Sequence, residues 1–263
     1  MSGVRSGRRC TCWVRARWDW GHYGEHLING SWRQWDDPEC KEEVIQKTAE
    51  GRSSSPAWKI FVITLSRNEE RRRNVIRQLV SSPWNFEVVE AVDAESTKPE
   101  LLVASENPVE VLTPGEIACY QSHLRVLQRI VDYGLPYGVI LEDDFRLGRT
   151  ESLTLGNLWT RLPGDADHVQ LHNLRNEITR EYEIEAEGRY FNKLAVTNAL
   201  TIGYLVSRRF ARWFLGNHSI PQRPIDHQYT QVSKEGEGLF GFYDCQERLI
   251  DGFWEMPTTI SGR

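Results

Sequence analysis

Tyr137-Gly138-Val139-Ile140-Leu141-Glu142-Asp143-Asp144 decides how this 263-residue chain is read. An apolar run suited to a buried strand passes without a break into three acids, so the acids stand at a strand's carboxyl end. Gly134 and Pro136, just upstream, stop a helix whose start is equally plain. In Thr113-Pro114-Gly115-Glu116, Thr113 can cap, Pro114 takes the first helical position and Glu116 completes a capping box. Ile117, Tyr120, Leu124, Leu127 and Val131 then recur at spacings of 3, 4, 3 and 4, one apolar stripe along that helix.

The same alternation extends outward. Residues 59–65 are a short β-branched run. A charged helix follows, with Glu69 and Glu70 four and three residues ahead of Arg73 and with Ile76, Leu79 and Val80 as its apolar face. Residues 86–92 supply a second strand and complete a βαβ opening. Downstream, residues 168–171 and 199–206 read as strands, and Ser207 caps a helix carrying Phe210, Trp213 and Phe214 that ends near Gly216. Strands alternating with helices, with no internal repeat, give an α/β fold, a sheet layered with helices.

Acidic residues outnumber basic ones 37 to 32, so the chain lacks the basic surface that a nucleic-acid backbone requires. No stretch approaches the roughly 18–20 apolar residues of a membrane span or the apolar core of a signal peptide, and a cytoplasmic protein is expected. Cys10, Cys12, Cys40, Cys119 and Cys245 are an odd, scattered set and read as reduced thiols. Residues 1–58 stand apart: they hold six of the ten tryptophans and an arginine cluster at Arg5, Arg8, Arg9, Arg15 and Arg17. Gly51-Arg52-Ser53-Ser54-Ser55-Pro56 reads as a linker, separating this Trp/Arg-rich extension from a domain over 59–263. Within the extension, Cys10, Cys12, His22, His26 and Cys40 offer enough ligands for a small zinc site, although a Cys-x-Cys pair is tighter than usual zinc spacing. A Trp/Arg surface lying on an anionic membrane is a second reading.

Open α/β sheets bind ligands outside the carboxyl ends of their strands, which is where Glu142, Asp143 and Asp144 stand. Adjacent carboxylates repel, and burying them calls for a cation or protons; oxygen ligands of this kind suit a hard divalent ion. A solvated acidic turn is the plain alternative.

Three segments in order resemble glycosyltransferase family 25, the lipopolysaccharide and procollagen galactosyltransferase family. These are Ile60-Phe61-Val62-Ile63-Thr64-Leu65-Ser66-Arg67 with Glu70-Arg71-Arg72, then Leu112-Thr113-Pro114-Gly115-Glu116-Ile117-Ala118-Cys119-Tyr120-Gln121-Ser122-His123, then Val139-Ile140-Leu141-Glu142-Asp143-Asp144. The second segment is the most specific. Weaker matches are Ala91-Val92-Asp93, Gly203-Tyr204-Leu205-Val206-Ser207, Pro224-Ile225-Asp226-His227 and Pro257-Thr258-Thr259-Ile260.

The resemblance implies a GT-A-like nucleotide-sugar transferase, α/β with a single Rossmann-type sheet flanked by helices. It would move a sugar, galactose from UDP-galactose by family expectation, to a lipopolysaccharide or other cell-surface glycan, assisted by Mn²⁺ or Mg²⁺ and inverting the anomeric centre. A lipid-linked oligosaccharide acceptor would bring it to the inner membrane surface as a peripheral protein. Leu65, Ser66, Arg67 and Asp93 become nucleotide-binding candidates, while Arg71 and Arg72 read as decoration of a solvated helix. Asp144 is the first metal ligand and Glu142 the second, because alternate residues of an extended segment share a side; Asp143 points at the sugar or into structure. Asp226 is the candidate base for the acceptor hydroxyl, or a carboxylate complementing a helix dipole. His227 can complete the metal shell. Glu116 and His123 are candidates for substrate contact, each with a sufficient structural job as well. A nucleotidyltransferase would show a Gly-rich phosphate loop after its first strand, and none follows Leu65. A non-catalytic glycan- or nucleotide-sugar-binding module derived from a transferase remains the alternative from another class.

Overall fold

The structure, a computed structural model, describes residues 58–80, 82–148, 153–172, 190–235 and 238–252, and the backbone alone of strands at 14–15, 25–28, 31–34 and 183–187. The chain divides into two compact units, Met1–Ser55 and Pro56–Arg263. In the first, β1 (Val14–Arg15), β2 (Glu25–Ile28) and β3 (Ser31–Gln34) form a small antiparallel sheet. The side chains of Cys10, Cys12, His22, His26 and Cys40 fall outside the described residues, as does the segment Pro257-Thr258-Thr259-Ile260.

The second unit is built on an eight-stranded sheet. Its elements in chain order are β4 (Trp58–Thr64), α1 (Glu69–Leu79), β5 (Phe86–Glu90), α2 (Pro114–Asp132), β6 (Tyr137–Glu142), β7 (Phe145–Leu147) and β8 (Ala166–Gln170). After them come β9 (Glu183–Glu187), β10 (Phe191–Leu194), β11 (Gly203–Ser207), α3 (Arg208–Asn217), α4 (Ile225–Glu235), β12 (Gly241–Cys245) and β13 (Ile250–Gly252). The strand order is β5-β4-β6-β11-β8-β12-β10-β9, and β13 pairs with β7 beside it. β4 is parallel to both β5 and β6, whereas β11 runs antiparallel to both β6 and β8. The fold is thus mixed α/β rather than purely parallel.

From β4 the chain goes outward through α1 to β5, then returns through α2 to β6 on the other side of β4. Such a reversal leaves a crevice at the strands' carboxyl ends. The two helices take opposite faces, and the period-2 alternation of β4 provides for both. Ile60 and Val62 pack with Val75 and Leu79 of α1; Phe61 and Ile63 pack with Tyr120, Leu127 and Ile130 of α2. On the α2 face, Phe210 and Phe214 of α3, Tyr229 and Val232 of α4, and Phe242 of β12 extend the core. Each fully buried aromatic or aliphatic side chain there is worth roughly 1.5–3 kcal/mol of burial. Gly138 lets α2 lie against β6, since a Cβ at that position would stand 2.4 Å from Ile130 Cδ1.

The capping box that opens α2 is complete. Thr113 Oγ1 accepts from Glu116 N at 3.2 Å, and Glu116 Oε2 accepts from Thr113 N at 2.9 Å. The buried stripe of α2 is rotated from the expected one: Tyr120 and Leu127 are central, but His123 and Ile130 join them while Ile117, Leu124 and Val131 sit at its edge. In α1 the buried positions are Arg71, Asn74, Val75 and Leu79, and Val80 is exposed. Polar residues occupy the inner face of that helix because they hold the segment that follows β6. Thr113→Ala should lower stability by about 1 kcal/mol, read as a lower midpoint of urea unfolding with an unchanged slope.

Candidate active site

β6 ends at Glu142 beside the carboxyl end of β4, and the turn that follows carries Asp143 and Asp144 into the same crevice. Asp143 turns inward and is buried. Thr64 Oγ1 donates to its Oδ2 at 2.7 Å, and Arg71 Nη1 donates to its Oδ1 at 2.8 Å. Asn74 Nδ2 donates to the carbonyls of Asp143 (3.2 Å) and Phe145 (3.0 Å), and Gln78 binds both Phe145 O and Leu147 N. One face of α1 therefore fixes the turn from β6 into β7.

Glu142 and Asp144 face the other way and line a cavity of about 110 Å³ with Glu116, Cys119, Thr201 and Asp226. The wall opposite is set by Gln170, whose Nε2 donates to Asn198 O at 3.2 Å and Leu200 O at 3.1 Å. That brings the Thr201 hydroxyl into a short hydrogen bond to Glu142 Oε1. Asp226 enters from the first turn of α4, and its Oδ1 accepts from His227 N at 3.0 Å.

Charge at this point is poorly balanced. Burial works to raise the Glu142 carboxyl, but His123, the Thr201 hydroxyl and the Arg71 guanidinium outweigh it and hold it below its ordinary range. Asp144 is pushed up to about 7, first by burial and then by the Glu142 charge, with Arg71 opposing at 3.2 Å and Asp143 adding to the rise. Asp143 is also raised, by burial above all. Desolvating an ion costs several kcal/mol, and a single guanidinium shared among three carboxylates does not neutralise them. Among the described residues, Asp144 Oδ1 is enclosed with no hydrogen-bond donor. An oxygen-rich cluster short of positive charge, open to a cavity on the Glu142–Asp144 side, fits a hard divalent ion.

The other sequence candidates are distributed unevenly. Glu116 reaches the cavity while also serving the capping box. Leu65, Ser66, Arg67 and Asp93 gather at the carboxyl ends of β4 and β5 but do not line it. Arg67 Nε donates to Asp93 Oδ2 at 2.9 Å, and Ser66 N donates to Glu90 Oε1 at 2.7 Å. Two assignments need correction, and of the two readings of Asp143 the structural one holds. Asp143 is a buried structural anion, because Thr64 and Arg71 satisfy it from within. His123 is buried under Glu142, with Nδ1 2.7 Å from the Tyr204 hydroxyl, and does not line the cavity where a sugar would sit. His227 is exposed and turned from the acids, with Nδ1 2.8 Å from Glu110 Oε2. The reading of Arg71 as surface decoration is also overturned: it is 6% exposed and is the cation that holds the acidic turn. Its signal in the sequence was its place two residues after Glu69, on the inward line Arg71-Val75-Leu79 at i, i+4 and i+8. Arg72 does lie outward, 3.7 Å from Glu90.

Residues 57–228 match the family described as glycosyltransferase family 25 (LPS biosynthesis protein). A Bos taurus protein called probable inactive glycosyltransferase 25 family member 3 is 28% identical over 183 residues, which are 64% of this chain and 30% of that one. Procollagen galactosyltransferase 1 of Danio rerio is 26% identical over 64% of this chain and 30% of its own. The lacto-N-neotetraose biosynthesis glycosyltransferase LgtB of Neisseria gonorrhoeae is 29% identical over 68% of each chain. The match thus spans about a third of the animal relatives and about two thirds of the bacterial one.

Replacing Arg71 by Met leaves Asp143 and Asp144 buried without their cation and should cost roughly 3–5 kcal/mol in urea unfolding. Asp144 titrates higher folded than unfolded, so its contribution to stability is full below the ordinary carboxylate range and is lost as pH rises through about 7. Asp144→Asn should therefore stabilise the chelator-treated protein at about pH 8, with the gain shrinking toward about pH 4 when unfolding is followed across that range.

Proposed function

We propose that this chain, which belongs to glycosyltransferase family 25, transfers a hexose from a nucleotide-sugar donor to a glycan acceptor. The observation that carries the reading is that Glu142, Asp144 and Asp226, from two separate elements, line one cavity beside the reversal of strand order. The proposed donor is UDP-galactose, and the acceptor a lipopolysaccharide or other cell-surface glycan; among the relatives, the names of LgtB and the procollagen galactosyltransferases favour these classes. A lipid-linked acceptor would place the reaction on the cytoplasmic face of a membrane. Among the described residues, no helix is long and apolar enough to cross one.

In this reading Asp144 and Glu142 hold Mn²⁺ or Mg²⁺, which when bound neutralises the charge that builds on the departing diphosphate. Arg71 and Thr64 keep Asp143, and with it the whole turn, in one position. Thr201 fixes the Glu142 carboxylate. In the same reading Ser66, Arg67 and Asp93, at the ends of β4 and β5, would meet the nucleotide, a role supported by the Arg67–Asp93 pair, which fixes the guanidinium plane. Asp226 takes the proton of the acceptor hydroxyl as it attacks the anomeric carbon on the face opposite the leaving group, inverting that centre. A second reading has one observation in its favour: several relatives bear the word inactive in their names, so a binding module derived from a transferase is the alternative.

Turnover of a panel of UDP-sugars, followed as UDP release with mixed glycan acceptors and with Mn²⁺ or chelator, tests this directly. Metal-dependent release should disappear in Asp144→Ala, and Asp226→Asn should lower kcat by roughly 100-fold or more with a smaller change in KM. Donor binding without turnover under every metal condition supports the module instead.

A further inference from the structure

Cys119 and His123 are one turn apart on α2 and both turn toward Glu142 at the end of β6. A sulfur, an imidazole nitrogen and a carboxylate oxygen from these three side chains all lie within 4.8 Å of one another. His123 Nε2 is 3.4 Å from Glu142 Oε1. Usual zinc bond lengths place such donors roughly 3.3–3.7 Å apart around a tetrahedral ion, so the imidazole and carboxylate already stand at the required separation and the sulfur needs a side-chain adjustment.

The histidine supplies an independent pointer. It is 1% exposed, its Nδ1 is engaged by the Tyr204 hydroxyl at 2.7 Å, and its Nε2 has no hydrogen-bond partner among the described residues. Tyr204 in turn meets the Tyr229 hydroxyl at 3.1 Å and stacks on the imidazole at 5.7 Å between ring centroids. A ring held at one nitrogen by a fixed partner, with the other aimed at a carboxylate, is how proteins orient a histidine ligand. When Nε2 carries the proton it meets the Glu142 carboxylate as an ion pair; when Nδ1 carries it, the lone pairs of Nε2 and Glu142 confront each other, an arrangement that a cation between them relieves. Cys119 and Glu142 both line the cavity, which gives an ion its way in and leaves room for a water as fourth ligand.

We propose that Cys119, His123 and Glu142 form a binding site for a thiophilic divalent cation, with Zn²⁺ the best match. The ion would bind the thiolate, the thiol proton passing to solvent, and its chemistry separates it from a hard ion on Asp144. This site stands whether or not the chain transfers sugar. If it does, Glu142 belongs to both ion positions, and Zn²⁺ at the soft one competes with use of the hard one.

The test uses the full chain with Cys10, Cys12 and Cys40 replaced by Ser, so that those thiols contribute nothing. Co²⁺, as a spectroscopic stand-in for Zn²⁺, should produce a thiolate-to-cobalt charge-transfer band in the near ultraviolet. Zn²⁺ should abolish the band, Mg²⁺ should not, and it should be absent from Cys119→Ser and from His123→Gln. In parallel, Zn²⁺ and not Mg²⁺ should slow alkylation of Cys119 by iodoacetamide, followed by mass spectrometry of its peptide. A folded protein with no band, a band that survives in Cys119→Ser, or equal protection by Mg²⁺ overturns the proposal. Neither readout depends on turnover, so failure here is distinct from failure of the transferase reading.

Discussion

The Arg71 guanidinium reaches Asp143 at 2.8 Å and Asp144 at 3.2 Å, and the geometry of the site follows from that contact. Three consecutive acids at the end of a buried strand repel one another, and at low effective dielectric such repulsion exceeds what hydrogen bonds alone return. The fold meets the problem by dividing the acids. Asp143 is turned inward and saturated by Thr64 and Arg71, which anchors the turn; Glu142 and Asp144 are left on the cavity side. Burial and mutual repulsion, only partly offset by Arg71, keep Asp144 titrating near neutrality. The same contact explains why α1 carries Arg71, Asn74 and Gln78 on the side where an amphipathic helix would place aliphatic residues: these groups bind the acids and the backbone that follows them.

Local signals in the sequence were legible where one element suffices to produce them. The capping box at Thr113 and Glu116, the strand ending in acids at 142–144 and the Ser207 cap of α3 depend on neighbours within a few residues, and each is present. Membership of the α/β class followed from the alternation of such elements. What periodicity could not supply was partnership across long sequence separations. Arg71 looked like a surface charge because its partner is 72 residues away, and His123 looked available because Tyr204, 81 residues on, hides it. His227 shared a turn with Asp226, yet its place on the helix turns it toward Glu110 instead.

Sheet direction was the other unreadable feature, and it matters for the site. A purely parallel sheet would have put another carboxyl end beside β6. The structure instead places antiparallel β11 there, so its amino end and the preceding segment Leu200-Thr201-Ile202 form the cavity wall. Thr201 can therefore clamp Glu142, and Glu142 N can donate to Ile202 O at 3.1 Å. Both sides of the crevice are thus tied to the backbone of the central sheet, while Asp226 comes from α4, and Glu116 and Cys119 from α2, outside it.

Glu142 is held at one oxygen by Thr201 and faced by His123, and it stands between two kinds of ligand. Asp144 is an all-oxygen neighbour; His123 and Cys119 bring imidazole and thiol. A carboxylate binds hard and borderline ions alike, so selection falls to the neighbours rather than to Glu142 itself. Tyr204 and Tyr229 then act at a distance, since the hydroxyl chain that fixes His123 also fixes which face of Glu142 meets nitrogen and which meets the open cavity. The buried tyrosines are held neutral by desolvation and cannot relieve the charge themselves. Their contribution is orientation, and it couples the aromatic core on the α2 face to the polarity of the site above it.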